Sequence, residues 1–101
     1  MAVYRLTRRA EIDLFELAEF TLKTWGQAQC ERYLDQLESC LHRVADNPSL
    51  GQSREWVRPG LRAIKQGKHV IFYKCFQDHT LVLRILHERM DPTLHLNADE
   101  E

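Results

Sequence analysis

One glycine constrains this chain more than any other residue. From Ala10 to Trp25, Ala10, Leu14, Leu17, Ala18, Thr21, Leu22 and Trp25 recur at three- and four-residue steps. That is the spacing of one face of an α-helix. The same period returns from Gln27 to about Asp46 with Cys30, Tyr33, Leu34, Leu37, Leu41 and Val44. Only Gly26 separates the two stretches, and glycine suits the left-handed position that stops a helix. A connection that short permits only an antiparallel helix pair. Thr7 is placed to cap the first helix, with Glu11 and Asp13 near the positive end of its dipole. Pro48 disfavours helical geometry at Asn47, so "NPSLG" ends the second.

After that point the period changes. "LRAIK", "HVIFYKCF" and "TLVLRIL" are rich in β-branched and aromatic residues and are separated by "QGK" and "QDH". Two tight connections predict a meander of three antiparallel strands. "VYRLT" (Val3–Thr7) predicts a short strand ahead of the helices. The expected fold is α+β, in the order strand–helix–helix–strand–strand–strand, with the helical hairpin packed on one face of a mainly antiparallel sheet. Val70, Phe72, Leu81, Leu83 and Ile85 are expected to meet the helices. Ile71, Tyr73, Val82 and Arg84 are expected on the opposite face, an apolar surface with cationic edges and so a docking surface. One domain is expected over residues 1–96, followed by a frayed acidic tail at 97–101, "NADEE" with its final Glu.

Charge is separated along the chain although the net value is −1. Residues 10–47 hold three basic and eight acidic side chains, a balance of −5. Residues 54–89 hold eight basic and three acidic ones, a balance of +5. A cationic second half fits nucleic acid or an acidic protein segment. No apolar run approaches the roughly 20 residues of a membrane span, and the start lacks the apolar stretch of a secretory signal. The three cysteines are an odd number. Cys30 and Cys40 would lie about 15 Å apart on one helix, too far to bridge. Free buried thiols in a cytoplasmic protein are expected.

Two kinds of chemistry merit testing against these residues. His87, Asp91 and His95 stand at four-residue steps, as metal ligands on one helix face would. Pro92 disturbs such a helix and no cysteine pair has zinc spacing, so neither metal nor other cofactor is expected. Cleavage of a phosphodiester without metal needs a base, an acid and cations around the phosphate. His87 could titrate near neutral pH, while Arg84 and Arg62 could clamp phosphate. The structural alternative makes Arg84 a salt-bridge donor and His87 a cap where the last strand ends. Glu88 and Asp91 then belong to a closing turn. No phosphate loop, nucleophile elbow or dinucleotide fingerprint is present.

The succession "YRLTRRAEIDL", "TWG", "Y…L", "NPSLG", "RPGLR", "HVIFY" and "RILHERMD…HL" resembles the ParE toxins of bacterial toxin–antitoxin pairs, within the RelE/ParE superfamily. It covers residues 4–96, and the segment from Arg84 to Leu96 is its most specific part. The resemblance implies the fold derived above and a toxin that inhibits DNA gyrase and blocks replication, without catalysis of its own. It also implies a ParD-like antitoxin whose flexible acidic C-terminal segment wraps the toxin into a hetero-oligomer, with DNA met only through the antitoxin or gyrase. Arg58, Arg62, Ile71, Tyr73, Val82, Arg84 and Arg89 are the expected antitoxin contacts. The RelE branch instead cuts messenger RNA on the ribosome with basic sheet residues and a C-terminal Arg and Tyr. Here "PTLHLNADEE" follows Asp91, without Arg, Lys or Tyr. A ParE-like chain that binds antitoxin without being toxic is the further alternative.

Overall fold

The computed structural model describes residues 3–96; the tail assigned to 97–101 lies outside the described residues. Strand β1 (Tyr4–Leu6) leads into helices α1 (Arg8–Trp25) and α2 (Gln27–Asp46). Thr7 caps α1 as expected: its Oγ1 accepts the Ala10 N–H at 3.1 Å and donates to the Leu83 carbonyl at 2.8 Å. One side chain thereby starts the helix and ties it to the sheet. Gly26, at φ 88°, closes α1 and opens α2, as its position between the two stripes requires. Its N–H donates to Leu22 O and its carbonyl accepts from Cys30 N–H, both at 3.0 Å.

A 3-10 turn (Pro48–Leu50) follows, then strands β2 (Gln52–Ser53), β3 (Arg62–Gln66), β4 (His69–Cys75) and β5 (Thr80–His87). A single-turn helix, α3 (Pro92–His95), completes the described residues. The sheet order is β1-β5-β4-β3-β2, antiparallel except where β1 pairs parallel with β5. The α+β class and the meander are as the sequence predicts. Strand β2 and helix α3 are additions. Asp91 caps α3 with Pro92 at its first position, so Pro92 begins a helix as well as barring a longer one.

The facing of the sheet is a correction. Ile71, Tyr73 and Val82, expected to point away from the helices, are fully buried against them together with Ile85. Their neighbours there include Leu17, Leu37, Cys40, Leu41 and Val44 of the helices. Phe72 and Leu83 lie on the other face with Leu61, Ala63, Leu86 and Leu96, flanked by Val57, Val70 and Leu81. Both faces are apolar because both are covered, the second by α3 and the segment after β2 (Leu61, Val57, Leu96). Alternation alone cannot tell two buried faces apart. A bulge adds to the ambiguity. Phe72 pairs with Arg84 but Tyr73 with Val82, so β5 carries one extra residue. Val82 and Ile85 therefore share a face despite their odd spacing, and Ile85 meets the helices as expected.

Candidate binding surface

Arg84 is a structural residue in this fold. Its Nε donates to Asp13 Oδ2 at 2.7 Å and its Nη2 to Asp13 Oδ1 at 3.0 Å, a bidentate pair. The two side chains are only 5% and 10% exposed. Asp13 Oδ2 also accepts the Ile85 N–H at 3.0 Å, and Arg84 Nη1 donates to the His95 carbonyl at 2.8 Å. The guanidinium thus joins α1, β5 and α3. This corrects its expected place on an open docking face: α1 covers the stretch of β5 beyond its pairing with β1, and the arginine is buried there.

Arg62 is similarly engaged, donating from Nε to Gly51 O at 3.1 Å and from Nη2 to Ser49 O at 3.4 Å. His87 Nδ1 accepts the Arg89 N–H at 3.2 Å, the capping role of the structural reading. Arg84 and His87 line one cavity, but Arg62 is not part of it. Arg62 is in register with Tyr73 and Val82, whereas His87 is in register with His69 and Gln66. Four residue steps along β3 separate those rows, about 13 Å. They cannot hold one phosphate between them. Asp91 accepts from Thr93 N and Oγ1 at 3.0 and 2.8 Å, and these bonds hold its carboxyl below the usual range. It is a helix cap. Among the described residues no group of three or more His, Cys, Asp or Glu side chains is placed to hold a metal.

The exposed apolar surface lies on α1 instead. Phe15 is 68% exposed, Phe20 64% and Trp25 67%, and Ile12 and Leu22 are also exposed. Phe15, Ala18, Leu22 and Trp25 follow at steps of three, four and three, which aligns them along one side of the helix. Leu22 and Trp25 belong to the stripe that the sequence predicts for the core. They lie outside it, in the run from 22 to 29 at the tip of the hairpin where every residue is exposed. Phe15 and Ala18 also line a groove of about 580 Å³ between α1, α2 and β1, with Tyr4, Leu14 and Leu34 among its apolar walls. Glu11, Asp35 and Glu38 form its acidic rim. Burial, and then the nearby Glu38 charge, push the Tyr4 hydroxyl above its ordinary pKa. This surface was missed although Ile12, Phe15 and Phe20, apolar residues off the core stripe, signalled it. Arg58 is half-buried and Arg89 exposed, elsewhere on the molecule.

The architecture is an α1–α2 hairpin on a five-stranded sheet, with an exposed apolar surface along α1. Residues 4–92 match the family described as ParE toxin of type II toxin-antitoxin system, parDE. The chain is 38% identical over 89 residues to Toxin ParE1 of Mycobacterium tuberculosis, spanning 87% of this chain and 91% of that protein. It is 34% identical over 96 residues to Toxin ParE1 of Caulobacter vibrioides, spanning 95% and 99%. Toxin ParE of Escherichia coli is 36% identical over 94 residues, spanning 90% and 89%. The chain belongs to the ParE toxin family of type II toxin–antitoxin systems. The fold resembles that in a chromosomal ParDE system from P. aeruginosa, with TM-score 0.72, 17% identity and coverage of 86% and 96%. A chain of the RelBE2 toxin–antitoxin complex from Mycobacterium tuberculosis shares it at TM-score 0.52 and 19% identity, with coverage of 85% and 96%.

Proposed function

We propose that this chain is a toxin that acts by binding DNA gyrase rather than by cutting RNA, and that a ParD-like antitoxin neutralises it. The observation that carries this reading is the fate of the candidate catalytic groups. Arg84 is committed to Asp13, Arg62 to the Ser49–Gly51 backbone, and His87 lies far from Arg62 along the sheet. What the surface offers is area for a partner. Inhibition of supercoiling by purified protein, with ribosome-bound messenger RNA left intact, tests this half of the reading.

The antitoxin segment lies along the groove and the Phe15–Ala18–Leu22–Trp25 stripe as an amphipathic helix. The rim of Glu11, Asp35 and Glu38 calls for Lys or Arg beside its apolar anchors. An acidic stretch of the same segment meets Arg58, next to Arg62 at the start of β3, whereas Arg89 lies at the opposite end of the sheet, past β5. Ile71, Tyr73 and Val82, being fully buried, are not among the contacts. The rim steers encounter while the aromatics hold the complex.

Two variants separate those roles in stopped-flow binding of the antitoxin's C-terminal peptide. Asp35→Lys combined with Glu38→Lys should slow association about tenfold at low salt. Trp25→Ala should leave the on-rate similar and speed release roughly 30-fold, the equivalent of a 2 kcal/mol anchor. Trp25 is 67% exposed, so its truncation spares the fold. Unchanged rates in both variants would show that the antitoxin docks elsewhere.

A further inference from the structure

His69 opens β4 and His87 closes β5, and the two are in direct cross-strand register. The Glu88 N–H donates to Lys68 O at 2.8 Å, which makes His69 and His87 a non-hydrogen-bonded pair. In such pairs the side chains project from the same face at the closest approach the ladder allows. Their ring centres are 5.6 Å apart. Two imidazoles held cis on one metal ion, each with Nε2 about 2.0 Å from it, have centres roughly 4.5 to 5 Å apart, so binding draws these rings together by about 0.5–1 Å.

The second nitrogens are already held. His69 Nδ1 lies 2.7 Å from the Tyr33 hydroxyl, which donates to the Gln66 carbonyl at 2.8 Å. The tyrosine proton is thus used, so His69 Nδ1–H is the donor and its Nε2 carries the lone pair. Metal-binding histidines are oriented by such a contact on the other ring nitrogen. His87 Nδ1 accepts the Arg89 N–H at 3.2 Å, so in the neutral ring its proton sits on Nε2. That proton moves to Nδ1 through water when Nε2 takes a metal, and the Arg89 contact opens. No net proton is gained or lost. Both residues line one open cavity with Phe20 and Met90, so an ion and its waters have access.

We propose that His69 and His87 form a two-imidazole site for a late first-row divalent ion, Cu²⁺ or Ni²⁺, with water in the remaining positions. Two nitrogens plus oxygens suit these ions, and Mg²⁺ or Ca²⁺, which take oxygen ligands, are excluded. Occupancy pins the ends of β4 and β5 together and reshapes the turn from Glu88 to Met90. Tyr33 is a positioning residue, acting on the ion through His69.

Titration calorimetry of the untagged full chain with Ni²⁺ in a non-coordinating buffer tests the site. One ion per chain is expected, with affinity falling about tenfold or more in His69→Gln and again in His87→Gln. Tyr33→Phe should weaken binding about tenfold through loss of the outer contact. His42→Gln and His79→Gln should bind as the parent does. Electron paramagnetic resonance with Cu²⁺ should show two imidazole nitrogens in the parent and one in either single variant. Circular dichroism confirms folding, and His87→Gln serves alone if His69→Gln does not fold. Full affinity retained in His87→Gln, loss of binding in His79→Gln, or a single nitrogen in the parent would overturn the proposal.

Discussion

Tyr73→Ala is expected to remove most of the stability of this domain. Tyr73 is 0% exposed, in the core cluster shared by the helices and the sheet. Removing a buried aromatic side chain costs about 3–5 kcal/mol through lost burial and the cavity left behind. Here the hydroxyl has work of its own. It accepts the Gly51 N–H at 2.8 Å and donates to the Pro48 carbonyl at 2.6 Å, fastening the 3-10 turn and the start of β2 to the sheet. Gly51 is glycine because of this approach: a Cβ there would collide with the Tyr73 hydroxyl and crowd the Ala63 carbonyl. Tyr73→Phe keeps the ring but strands those backbone groups, for about 1–3 kcal/mol. Small domains hold only about 5–15 kcal/mol in total, so the alanine variant should be marginal at 37 °C. Urea denaturation followed by circular dichroism separates the variants. An alanine variant within about 1 kcal/mol of the parent would mean that this tyrosine is not part of the core.

Breaking the Asp13–Arg84 pair should cost nearly as much. Arg84→Met leaves a carboxylate at 10% exposure with its strongest partner removed. Truncating one member of a buried ion pair typically costs about 3–5 kcal/mol, mostly the penalty of the charge left behind. Asp13→Leu takes the carboxylate away from the guanidinium and also leaves the Ile85 N–H without its acceptor. The double variant removes both charges. It should recover most of the loss but not all, because Ile85 N and His95 O still lack their partners. A double-mutant cycle in urea should therefore give a coupling of about 2 kcal/mol or more. Hydrogen exchange at Leu96 should rise in Arg84→Met, since the His95 carbonyl ties α3 to the sheet. Additive losses would show that the pair is not coupled.

Local chemistry made the first half of the fold legible. Thr7, Gly26 and Pro48 act within a few residues of their own positions, and their roles were read correctly from type and spacing. The sheet's facing was not legible, because Ile71 and Phe72 are equally apolar and both sides are covered. The bulge opposite Phe72 breaks the alternation that might have decided it. Arg84 and its acceptor are 71 positions apart, beyond any local pattern. An arginine in an apolar strand so near the chain's end invited a phosphate, when it was in fact the partner of a carboxylate in the first helix. Asp91–Pro92–Thr93 could have been read as a helix start, and Phe15 and Phe20 as surface aromatics. In both cases a signal was present and a longer pattern drew attention from it.

The most direct measurement places purified protein in a gyrase supercoiling assay beside a ribosome-bound messenger RNA cleavage assay. Loss of supercoiling or accumulation of gyrase-dependent DNA breaks is expected, with the messenger RNA intact. His87→Gln should match the parent in the gyrase assay, because an amide can replace the imidazole's contact with the Arg89 N–H. Codon-positioned cuts in the RNA with supercoiling unaffected, reduced about 10²-fold in His87→Gln, would contradict the account and make that histidine a catalyst.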